Sequence, residues 1–171
     1  MIILESFQPN YNSAIHYVSS LGVGTTAIIY NSSISLFGLS MVISSVIFYK
    51  SLGRKIFPLF FLITGLFVIG VGLFPENIRP IHGYVTAFAF LFAVFLPIIS
   101  FKALNPPFSY LSIIMGSVSL VVLIVFFPYL GLLAESTILF LGLAKGTMER
   151  IIIYPLMFWM LSLSISLTNK A

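Results

Sequence analysis

The sequence contains no cysteine. That excludes a disulfide framework, a thiolate metal site and a thiol nucleophile. Charge is nearly as scarce, at 7% of 171 residues against about 25% in an ordinary soluble domain. So few charges cannot cover a water-facing surface, which makes lipid the outer solvent. The net charge of +4 is too small and too scattered to address a nucleic acid. The opening residues, MIILESFQPN, have neither the basic start nor the small-residue cleavage site of a secretory signal. A Walker loop, a Rossmann fingerprint, a His-Glu-x-x-His pair and a Gly-x-Ser-x-Gly elbow are all missing.

What is present is overwhelmingly apolar. Hydrophobic residues make up 60% of the chain, with eighteen Phe and eight Tyr, and the mean hydropathy is +1.16. Apolar runs lie near residues 27–49, 56–74, 81–101, 108–130 and 149–167. Each is close to the ~20 residues that carry a helix across ~30 Å of hydrocarbon. The expected fold is all-α: a single transmembrane domain over residues 26–171 with five membrane-spanning helices. Residues 1–25 read as a polar, interfacial segment on the outer face, with Gly22 and Gly24 as helix breakers. None of the span interiors carries a charge, which speaks against a proton relay or a voltage sensor.

The charges sort by side. If the spans alternate, Lys50, Arg54, Lys55, Lys102 and Lys170 share one face that has no acidic residue. The positive-inside rule makes that face cytoplasmic, together with the C-terminus of a multi-pass cell-membrane protein. The other face receives Arg79, Lys145 and Arg150, all four glutamates (Glu5, Glu76, Glu135, Glu149) and both histidines, His16 and His82. Between the fourth and fifth spans, Gly131 to Thr147 holds Glu135 and three glycines. It reads as an interfacial or short re-entrant element, which at membrane depth requires protein cover.

Candidate chemistry therefore gathers at the outer face: His82, Glu149, Arg150, Asn31, Glu76, Arg79 and Ser20, with His16 nearby. Glu149 and Arg150 read as the start of the last span. Adjacent helix positions differ by about 100°, so at most one is expected to point squarely into the bundle. Glu149 suits a helix N-terminus and Arg150 does not, which implies a partner for Arg150; Glu76 and a lipid phosphate are the natural ones. The plain reading is capping and snorkelling, and the functional one is an anion clamp. His82, with Thr86 on the same helical face, reads as a hydrogen-bonded packing residue. The sharper alternative is a metal ligand joined by His16 and a carboxylate such as Glu149. No local ligand signature supports a metal, and no cofactor is expected. A hydrolase pairing Ser19 or Ser20 with His82 lacks the elbow motif.

Asn31, Ser35 and Gly38 on the first span, and Gly65, Gly70 and Gly72 on the second, read as small residues that admit close helix packing. Trp159 is too deep in its span for an interface anchor and reads as packing, whereas Tyr17, Tyr30, Tyr49 and Tyr110 are candidate anchors.

Four pieces occur in a telling order. They are Ser19-Ser20-Leu21-Gly22 followed by Asn31, Gly72-Leu73-Phe74-Pro75, His82-Gly83, and Gly146 through Glu149-Arg150. The ordered set resembles a family of small prokaryotic membrane proteins catalogued as a domain of unknown function, number 998. The resemblance implies a helical bundle and no particular reaction. It also implies a further helix ahead of the Ser-Leu-Gly element, where this sequence has only Met1 to about Phe7. A pocket wall supplied by that helix would then come from a partner chain.

The functional expectation is non-enzymatic: binding of a lipid or amphiphile at an outer-leaflet polar vestibule, or service as a small subunit of a membrane complex. Membrane lipids, and a partner membrane protein or a second copy of the chain, are the expected partners. The competing expectation is a membrane-embedded hydrolase or lipid-modifying enzyme using His82 and Glu149.

Overall fold

The computed structural model describes residues 2–51, 55–127, 136 and 138–168. A four-residue helix, α1 (Ile2–Glu5), and a 3-10 turn (Val18–Gly22) lead into helices long and apolar enough to cross a membrane. These are α2 (Ala27–Ser51), α3 (Ile56–Leu73), α4 (Ile81–Ser100, continued by a 3-10 turn to Ala103), α5 (Phe108–Phe126) and α6 (Lys145–Thr168). The protein is an all-α membrane bundle, and the five helices fall where the apolar runs place them.

The start of the last span and the stretch ahead of it differ from the expectation. The last helix starts at Lys145, four residues before the expected 149. The reason is tertiary. The Thr147 N–H, one of the donors a helix start leaves without an internal partner, donates to Ala14 O at 3.0 Å. Gly146 lies so close to the same segment that a Cβ there would meet Ser13 O at 2.6 Å and Ala14 O at 2.8 Å. Ahead of α6, the described part of the 131–147 stretch, read as an interfacial or short re-entrant element, contains no helix. It is a tight hairpin, β1 (Leu139–Phe140) against β2 (Leu143–Ala144), turned by Leu141 and Gly142 at positive φ. Glu135 lies outside the described residues.

Small residues bring α2 and α3 into backbone contact. A Cβ on Gly38 would sit 2.7 Å from Gly65 O, one on Gly65 would sit 2.9 Å from Gly38 O, and one on Gly72 would sit 2.6 Å from Asn31 O. Lipid supplies no hydrophobic drive between helices, so close dispersion contact of this kind is what holds them. Farther along, Trp159 is 2% exposed, packs with Phe57, Phe61 and Leu96, and donates its indole N–H to Ser100 Oγ at 3.0 Å. It is a packing residue. Tyr17 and Tyr30 are buried in the core and are not interface anchors, whereas Tyr49 and Tyr110 are exposed.

The bundle has two chemically distinct ends. At one, Lys55 donates to Tyr49 O at 3.0 Å, on the same side as Lys50 and Lys102. At the other, residues 2–26 pack against the starts of α2 and α6 and reach the turn after α3 through Ser20 and Glu76. That end holds Glu5, Glu76 and Glu149 together with Arg79, Lys145 and Arg150.

Candidate functional site

Arg150 fastens the N-terminal segment to the bundle. It is 7% exposed. Nη1 donates to Ser13 O, His16 O and Gly146 O at 2.5, 3.2 and 3.0 Å, and Nη2 donates to Glu5 Oε1 at 2.8 Å and Tyr11 Oη at 2.6 Å. Tyr11 passes the chain on by donating to Tyr17 O at 2.9 Å. Burial pushes the Tyr11 phenol up to about 12, against the pull of the guanidinium, so it stays a neutral donor. The partner of Arg150 is thus Glu5, not Glu76 or a lipid phosphate. Both terminal nitrogens are committed to protein acceptors, which leaves them no role as an anion clamp.

Glu76 is also satisfied within the protein. Its Oε2 accepts from Ser20 Oγ at 2.5 Å and its Oε1 from Arg79 at 3.2 Å, in an i, i+3 ion pair at the end of α3. Asn31 donates to Gly22 O at 3.0 Å and fixes the turn before α2. It lies outside both of the cavities described below. His16 is half-buried against its own loop, where its Nδ1 accepts from the Asn12 N–H at 2.9 Å.

His82 is buried at the start of α4. The network assigns its tautomer: Nδ1–H donates to Phe74 O at 2.7 Å, and Nε2 then accepts from Thr86 Oγ1 at 3.2 Å. Its two nitrogens therefore tie the open end of α3 to the second turn of α4. Among the described residues no three His, Cys, Asp or Glu side chains converge, so His16, His82 and Glu149 are not brought together as ligands.

Glu149 is 4% exposed, and its Oε2 accepts the Val18 N–H at 2.6 Å. Contrary to the one-in, one-out expectation, both Glu149 and Arg150 are enclosed, because the N-terminal segment covers the side of α6 that Arg150 faces. Two cavities adjoin Glu149. A vestibule of about 420 Å³ opens at the acidic end and is lined by Tyr17, Ser19, Glu76, Arg79, His82, Thr86, Phe90, Phe126 and Glu149, among others. A deeper apolar cavity of about 160 Å³ runs between α2, α3, α4 and α6, from Tyr30 past Ala89 and Ala93 to Trp159. Ser19, Thr86, Phe90 and Glu149 line both.

Four of the residues singled out from the sequence therefore meet at one site: Glu76, Arg79, His82 and Glu149. Ser20 supports it through Glu76, while Arg150, Asn31 and His16 serve the N-terminal segment. Ser19, read from the sequence only as one of two alternative serines beside His82, lines both cavities, and which of the adjacent pair does so has no signal in the sequence. The apolar cavity has none either.

A family model described as "Protein of unknown function (DUF998)" matches residues 1–166. No curated protein and no solved structure matches the chain.

Proposed function

Because the chain belongs to the DUF998 family, whose description assigns no reaction, we propose a function from its own geometry: it binds an amphiphile. The polar end occupies the vestibule and the hydrocarbon chain enters the apolar cavity. The observation that carries this reading is the sharing of Ser19, Thr86, Phe90 and Glu149 by a polar and an apolar cavity. An empty apolar void forfeits dispersion contacts along its lining, which a hydrocarbon guest restores. The side of the cavity between α2 and α6 supports entry from the bilayer. Phe37 and Met157 both line it, and they are 43% and 50% exposed.

The single tryptophan reports on this cavity, since Trp159 lines it while being shielded from the surrounding lipid. A dodecyl amphiphile brominated along its chain should quench Trp159 fluorescence in a bilayer of unbrominated lipid. Ala93→Phe, which fills the cavity, should abolish most of that quenching without lowering thermal stability. Equal quenching in both proteins, or none in the parent, would sink the proposal.

The vestibule lies on the outer face of the cell membrane, with the C-terminus cytoplasmic, by the distribution of lysine and arginine. Single cysteines placed at Ser51 and at Asn77, both exposed, should then react with an impermeant maleimide from opposite sides. In intact cells only the Asn77 position should label. Labelling at Ser51 alone would invert the orientation.

A further inference from the structure

Two of the groups that open on the junction of the cavities are acceptors, on Glu149 and Thr86. Glu149 uses Oε2 for the Val18 N–H, while Oε1 has no hydrogen-bond partner among the described residues. Unlike Asn31 Oδ1, that oxygen is not sealed off, and its residue lines both cavities. Thr86 gives its hydroxyl proton to His82 Nε2, so its Oγ1 presents only lone pairs to the cavity junction. The Ser19 hydroxyl, on the same junction, has no hydrogen bond among the described residues. Among the described lining residues the one cation is Arg79, and it is paired with Glu76 at 3.2 Å. The junction thus offers two open acceptors, on Glu149 and Thr86, beside the Ser19 hydroxyl, which can donate or accept. The neighbouring Arg150 guanidinium is itself held by Glu5 at 2.8 Å, so an anionic headgroup at the junction would face the Glu149 carboxyl rather than a guanidinium. A headgroup carrying O–H or N–H donors would supply what Oε1 and Oγ1 lack.

We infer that the site selects amphiphiles whose polar end donates hydrogen bonds and carries no negative charge, namely a polyol or a primary ammonium, read by Glu149 with Thr86. Glu149 is the specificity-determining residue. This rests on the amphiphile reading above and goes beyond it by naming the headgroup chemistry.

The test uses the full-length protein in bilayers and three chain-matched brominated dodecyl probes: an alkylammonium, a glycerol ether and a carboxylate. Trp159 quenching is plotted against the mole fraction of each probe in the bilayer. The ammonium and glycerol probes should half-saturate at about 10-fold or more lower mole fraction than the carboxylate, the ratio that one hydrogen bond to a charged group supplies. Glu149→Gln keeps the Val18 bond through its amide oxygen and turns an NH2 donor toward the cavity. It should erase or reverse that ratio. The ammonium should lose more than the glycerol ether if charge pairing carries the preference, and the two should lose equally if donation alone does. Thr86→Val, which keeps the shape, should reduce the preference several-fold in the same direction. Equal half-saturation by all three probes, tighter carboxylate binding, or a ratio untouched by both substitutions would overturn the inference while leaving the amphiphile reading intact. Failure of every probe to quench would overturn both.

Discussion

Arg150→Ala should release residues 2–17 from the bundle and destabilise the protein by about 3–5 kcal/mol, the range for removing one partner of a buried ion pair. The size follows from what the guanidinium does. It serves three backbone carbonyls, a phenol and a carboxylate that lie 4 to 145 positions away in the chain. Alanine leaves Ser13 O, His16 O and Gly146 O without that donor, and a void where the side chain was. Glu5 mitigates the loss, because its side chain is 20% exposed and can hydrate. Arg150→Lys should fall between, keeping charge but losing the fork that reaches several acceptors at once. In detergent, the alanine variant should melt roughly 10 °C lower and be cleaved by protease between Gln8 and Ser13. Parental melting together with parental protection would remove Arg150 from the fastening role.

The fold was legible because the signal for it is bulk chemistry. A run of some twenty apolar residues has few alternatives in lipid, so five runs became five helices. The gathering of Glu76, Arg79, His82 and Glu149 was legible for a related reason. All four sit at helix ends, and alternating spans place those ends on the same side whatever the packing. What failed were statements that depend on which backbone approaches which. The pairing of Arg150 with Glu5 is set by the irregular path of residues 8–17, and no period or propensity encodes that path. The early start of α6 depends on Ala14 O arriving to receive the Thr147 N–H. The cavity is the hardest case. Ala89 and Ala93 on α4 look like the small residues that seat a neighbouring helix, as Gly116 does against Pro97 and Ile98. Whether a small residue marks a contact or a void is decided by the element opposite, which the local sequence does not contain.

That distinction gives the second large expected effect, at Gly38. A Cβ there would lie 2.7 Å from both Gly65 O and Ile69 N and 2.8 Å from Ile69 Cγ1. Two of these neighbours are backbone atoms, so no rotamer change relieves the clash and α2 must move off α3. Overpacking of this kind costs about 1–3 kcal/mol, occasionally more. Gly38→Val should reach the upper part of that range, because the displacement also loosens the contact of Gly72 with Asn31 and Ser35 farther along the pair. Since Tyr30, Ile34, Phe37 and Met41 of α2 form one wall of the apolar cavity, the same shift should weaken Trp159 quenching by the brominated chain. Gly83→Ala provides the contrast. Gly83 is helical and has nothing within 4 Å of an added Cβ. The lower unfolded-state entropy should therefore leave that protein equal or slightly more stable, by about 0.5–1 kcal/mol. Thermal melts of the two variants should move in opposite directions. If Gly38→Val melts with the parent, the backbone contact between α2 and α3 is not what holds that wall in place.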